Sequence, residues 1–144
     1  MKPEDKELLF KDLSARVPHG VIYQVSRRSF PSNEIKYSNE KLRRCEVTTK
    51  GEYGAGCNGA TLTSITKVKP YLRPMSSMTE EEKKEYQSLC VIHGDHDADD
   101  NVTYYYFDTI ESFDWLNTHH FDYRGLIDKG LAIEVTEENN PYKD

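Results

Sequence analysis

The chain is poor in the features that usually announce a chemistry. It has three cysteines in 144 residues, Cys45, Cys57 and Cys90, widely spaced and with no C-x-x-C. An odd, scattered set of thiols fits a reducing compartment and argues against a disulfide framework. No window approaches the ~20 apolar residues of a membrane span. The opening MKPEDKELLFKDL carries acids throughout and does not read as a signal peptide, so a cytoplasmic protein is expected. No G-x-S-x-G, H-E-x-x-H or G-K-[ST] occurs anywhere, and there is no internal repeat.

Basic residues are scarce in the second half. Residues 75–144 hold 5 Lys and Arg against 17 acids, a net −12, whereas residues 1–74 hold 14 against 8, a net +6. Such a split points to a basic ligand surface, an acidic one, or two halves that attract each other. Attraction between them is screened over ~8–10 Å at physiological salt and acts mainly where charges meet.

What the chain does have is aromatic residues, with ten Tyr and five Phe, and well-marked helix starts. A chain of this length can bury a core without metal or disulfides. Pro3 opens an amphipathic helix, Pro3–Arg16, carrying Leu9, Leu13 and Val17 on one face. Val21, Tyr23 and Val25 alternate as a strand with one buried side. Further short strands are expected at 35–37, 45–49 and 61–68. Residues 69–74, KPYLRP, read as an extended connector, because a residue before proline leaves the helical region. Thr79 with Glu82 three residues on forms a capping box for a second helix.

The region 91–107 reads as a hairpin with an acidic tip. Asp108 with Glu111 is expected to cap a third helix, with Ile110, Phe113, Trp115 and Leu116 on its buried side. Asp122 is expected to cap a short helix over 123–129 that Gly130 closes in the left-handed conformation. Leu131, Ile133 and Val135 alternate as a last strand. The expected architecture is therefore α+β: a leading helix, a small, mostly antiparallel sheet or partial barrel, then capped helices and a hairpin. It forms a single domain over 1–136, and 137–144 reads as a flexible tail.

Four clusters invite chemical readings. Gly54, Gly56 and Gly59 match G-x-G-x-x-G, but a strand-like segment follows where dinucleotide binding needs a helix, so a flexible loop is expected. His93, Asp95, His96, Asp97 and Asp99 are the densest set of potential metal ligands. Asp95, Asp97 and Asp99 have calcium-loop spacing, yet Asp100 stands where the turn needs glycine and Tyr106 where a bidentate Glu belongs. The competing reading is a solvated hairpin tip whose charges discourage edge pairing. His119 and His120, near Asp114 and Asp122, point about 100° apart on a helix and suit a structural role at its end. Arg27, Arg28, Arg43 and Arg44, with Tyr23, Phe30 and Tyr37 interleaved, could track phosphates while rings stack on bases. An overall charge of −6 opposes that reading.

The segments EDKELLFKDLSARVPHGV at 4–21, KPYLRPMSSMTEEEKKEY at 69–86 and FDWLNTHHFDYRGLIDKGLAIE at 113–134 resemble a family of small uncharacterised proteins from gut bacteria and their phages and mobile elements. The resemblance implies no activity, cofactor or catalytic residue. Together these observations favour a non-enzymatic accessory or protein-interaction module without a cofactor, its protein partner unidentified. Single-stranded nucleic-acid binding through residues 27–44 is the alternative, and metal binding at 93–100 a second one.

Overall fold

A computed structural model describes residues 1–59 and 61–143 and shows an α+β protein. Three α-helices occur among the described residues: α1 (Pro3–Arg16), α2 (Glu80–Leu89) and α3 (Ile110–Thr118). The main sheet contains β1 (Ile22–Arg28), β2 (Ile35–Lys41) and β6 (Val68–Pro74), with the two-residue strands β9 (Phe121–Asp122) and β10 (Ile133–Glu134). A second sheet contains β3 (Arg44–Val47), β4 (Tyr53–Gly56) and β5 (Thr63–Ser64). Among the described residues, the strands β7 (Val91–His96) and β8 (Val102–Phe107) pair only with each other.

The helix α1 spans the expected residues and packs Leu9 and Leu13 against Val21, Tyr23 and Val25, all fully buried. The expected connector at 69–74 is instead the hub of the main sheet. Its strand β6 pairs antiparallel with β1 and parallel with both β9 and β10. Pro70 and Pro74 lack a donor, and proline normally disqualifies an inner strand. A side chain also bridges the sheet. Where β1 and β6 part, the Tyr142 hydroxyl accepts from the Ile22 amide at 3.0 Å and donates to the Tyr71 carbonyl at 2.8 Å. The segment expected as a free tail thus lies on the body through Tyr142.

The capping box at Thr79 and Glu82 is present as expected. That of α3 sits one residue later than expected. Thr109 is the cap and Ser112 its reciprocal partner, while Asp108 accepts from the Ser112 hydroxyl and from Tyr86. The buried stripe of α3 moves with it, to Ser112, Trp115 and Leu116. Ile110 is left 79% exposed, and Phe113 lies on the flank against Tyr123, 5.3 Å between ring centres. No helix forms over 123–129. Asp122 still caps that turn, accepting from the Leu126 and Ile127 amides at 2.9 Å, and Gly130 closes it at φ +71°. A carboxylate that satisfies two amides in a tight turn leaves no need for a helical ladder.

Charge is built into the body. Asp12 and Arg16 are fully buried one helical turn apart. The Arg16 guanidinium donates twice to Asp12, at 2.7 and 3.1 Å, and once to the Phe121 carbonyl at 2.7 Å. Arg124 adds a 3.0 Å bond to the same carboxylate. This lock ties the first helix to the 121–124 segment, which closes the sheet at its other end.

Candidate interaction surface

The β7–β8 hairpin leaves the body at the junction of α2 and α3. That root is held by local polar groups: the Thr109 hydroxyl donates to the Leu89 carbonyl at 2.7 Å, and Tyr86 donates to Asp108. Beyond the root every residue of both strands is exposed. Tyr104 is 62% exposed, Phe107 55%, Val91 58% and Ile92 55%. The register Val91↔Phe107 through His96↔Val102 places Val102, Tyr104 and Tyr106 on one face and Thr103, Tyr105 and Phe107 on the other. Gly94 makes room for a ring. A Cβ there would stand 3.4 Å from Tyr104, whose side chain lies across the glycine.

Both edges of the hairpin are open. The Asp97 amide bonds the Asn101 carbonyl at 3.0 Å, which sets the ladder's phase. Residues 103, 105 and 107 therefore bond across to β7, and the backbone groups of Val102, Tyr104 and Tyr106 face outward. No side chain of β8 is charged. A free, uncharged, aromatic edge is the kind that pairs with another strand.

The metal candidates lie in this element and do not converge. No group of three His, Cys, Asp or Glu able to hold an ion occurs among the described residues. His93 pairs with Asp95 at 2.8 Å, whereas His96 faces Asp100 at 3.5 Å. Asp97 is used by the turn: its carboxylate accepts from the Asn101 amide and then from the Asp99 amide, both at 2.9 Å, which holds it below the usual carboxylate range. Asp99 stays at the solvated tip.

The four arginines are dispersed. Neighbours on a strand, Arg27 and Arg28 point to opposite faces of the main sheet. Arg27 is paired with Glu40 at 2.6 Å, and Arg44 with Glu46 at 3.2 Å on the second sheet. Arg43 lies between the two sheets. Only Arg28 is on the sheet face that α1 leaves open. There Gln24, Ser26, Tyr37, Lys67, Lys69 and Ile133 border a groove of about 340 Å³ with no carboxylate in its lining.

The glycine loop is strand and turn. A Cβ at Gly56 would stand 2.6 Å from the Thr61 carbonyl, so close packing accounts for that glycine. His119 and His120 pack against aromatic rings of the fold. The His119 ring bonds the Trp115 carbonyl at 2.9 Å and stacks on the indole at 4.1 Å. His120 stacks on Tyr142 at 3.8 Å, and burial pushes its pKa down to about 4. Burial likewise pushes the Cys45 thiol up to about 11, and the Glu40 carboxylate raises that of Cys57, shifts that disfavour the thiolate.

Residue-by-residue reading placed the hairpin but missed its exposure. The signal was present in the run Val102-Thr-Tyr-Tyr-Tyr-Phe107. A strand with one buried face alternates, and three consecutive tyrosines put rings on both faces. No helix among the described residues is long and apolar enough to cross a membrane. No family model, curated protein or solved structure matches the chain.

Proposed function

We propose that the protein is a non-enzymatic accessory module that docks another polypeptide onto its β7–β8 hairpin, in the cytoplasm of a cell carrying a phage or mobile element. One observation carries the reading: six consecutive residues of β8 are exposed, uncharged and mostly aromatic, on a strand with a free edge. Strand addition supplies main-chain hydrogen bonds for affinity, and Tyr104 and Tyr106 supply buried area and selectivity. The element context comes from the three segments that resemble proteins of gut bacteria and their phages. A photo-reactive amino acid at Tyr105, against a control at Glu4 on the opposite end of the chain, tests the docking. One dominant cross-linked species from position 105 and none from position 4 supports it. Equal, diffuse cross-linking from both removes it.

Nucleic-acid binding is the second reading, favoured by the open sheet face, where Arg28, Lys67 and Lys69 flank the 63% exposed Tyr37. Cations that follow phosphates and a ring for base stacking suit a single strand. Fluorescence anisotropy with a labelled oligonucleotide should then show affinity falling steeply with salt, the slope flattening by about 1 per lost phosphate contact in Arg28→Ala and Lys69→Ala. Salt-independent or absent binding excludes it.

A further inference from the structure

The hairpin has a matching surface on its own chain. The strand β2 ends the main sheet with one edge open, and only Glu40 of its seven residues is not exposed. Its ladder phase is set by the Leu42 amide on the Val21 carbonyl, 2.9 Å, and by the Ser29 amide on the Glu34 carbonyl, 2.7 Å. Ile35, Tyr37, Asn39 and Lys41 therefore turn their backbone groups outward. Beyond the strand's end lies an open groove of about 510 Å³ lined by His19, Gly20, Lys41, Leu42 and Arg43, with Thr118. The nearby Arg27 and Arg44 are taken by Glu40 and Glu46, whereas Lys41 and Arg43 have no acidic partner among the described residues.

We infer that the occupant of the hairpin is a second copy of this chain, with β8 of one protomer adding antiparallel to β2 of the next. The inference rests on the docking function proposed above and names its partner. Three features converge on it. First, the outward groups are in phase: Val102, Tyr104 and Tyr106 fall opposite Lys41, Asn39 and Tyr37 in a single register. Second, that register carries the tip past Lys41, so Asp99 and Asp100 reach the Lys41–Arg43 groove. Third, the two ends carry opposite charge. The hairpin tip holds Asp95, Asp97, Asp99 and Asp100, whereas the end of β2 presents Lys41 and Arg43, which have no acidic partner among the described residues. The pairing brings acid to base, and it gives the +6 and −12 halves of the chain a use between molecules. The contact is head-to-tail. It closes if two protomers exchange hairpins and otherwise extends as an open series.

Sedimentation velocity of the purified full chain, from low micromolar to submillimolar concentration and at low and high salt, tests the pairing. Association that strengthens with concentration and weakens with salt is expected. Lys41→Glu with Arg43→Glu should weaken it about tenfold or more, since reversed charges then face the tip. Adding Asp99→Lys and Asp100→Asn to the same chain should restore much of it, which a misfolded variant would not do. A wild-type protein that stays monomeric throughout, or association indifferent to the charge reversal, overturns the inference. Cross-linking from position 105 separates the two claims. A monomer cross-linked to a different protein removes the second copy and keeps the docking function, whereas a monomer with no specific cross-link removes both.

Discussion

Arg16 and Tyr104 exchange the places their chemistry would assign them. The guanidinium is fully buried beside Asp12, while the ring stands 62% in water. The body and the hairpin differ in this way throughout. Around α1, β6 and residues 121–124, charged groups lie inside and each is met by a specific partner. In β7 and β8, apolar groups lie outside and meet only one another. A buried ion pair costs much desolvation and adds little net stability over apolar packing, but it tolerates few alternative arrangements. An exposed two-stranded hairpin is marginal by itself and costs exposed apolar area. The first region specifies one fold, and the second is left free for a contact the isolated chain does not make.

The sharpest way to break the contrast is to unbalance the body. Asp12→Ala leaves Arg16 buried and facing Arg124 without a counter-charge, and should cost about 3–5 kcal/mol in urea unfolding. Replacing the pair together, Asp12→Leu with Arg16→Met, should recover most of that loss, because no unpaired charge remains. If the single variant is as stable as wild type, the buried lock is not what joins α1 to 121–124. Trp115→Ala should come close behind. The indole is 7% exposed and stacks on Phe121 at 5.7 Å, so its loss leaves a cavity costing about 3 kcal/mol or more. A melting temperature within a degree or two of wild type would remove the second core cluster from the account.

A smaller effect is expected with pH. His120 is held neutral in the folded state, its pKa lowered from 6.5 to about 4 chiefly by burial and then by the Arg16 charge. The unfolded chain therefore binds more protons between those values. This histidine's contribution is fully present above pH 6.5 and is lost as pH falls from there toward 4. His120→Asn tolerates the residue's positive φ of 63° and should flatten the stability–pH slope in that window. An unchanged slope would show that His120 titrates normally.

How much of this was legible in the chain depends on range. The box at Thr79 and Glu82 was readable because both partners lie within one helical turn. So was the alternation of Val21, Tyr23 and Val25, because strand period and burial coincide there. The strand β6 was not. Its prolines argue against an inner strand, and the partners that make it one, β1, β9 and β10, all lie far from it along the chain. The cap at Thr109 was missed by one residue, since Asp108 and Thr109 both offer an acceptor and the choice is made by Tyr86 holding Asp108. The tip acids were visible as a cluster, but only the ladder shows that Asp97 serves the turn. For β8 the composition was legible and the exposure was not, because burial of a strand is decided by what else remains to cover it.

The smallest stability effect belongs to the hairpin itself. Tyr104→Ser with Tyr106→Ser removes rings that are already solvated, so stability should change by about 0.5 kcal/mol or less. Association should nevertheless be lost. A large loss of stability would place the hairpin inside the body's cooperative unit.

Amide hydrogen exchange in dilute protein tests the difference between the two regions most directly. Backbone groups of β1 and β6 should open only with global unfolding, whereas those of β7 and β8 should exchange through local opening, orders of magnitude faster. Raising the protein concentration should then slow exchange at Val102, Tyr104 and Tyr106, whose amides face the open edge. Hairpin amides as protected as those of β1 in the dilute monomer, with no dependence on concentration, would contradict the claim that this element stands apart from the body and awaits a strand.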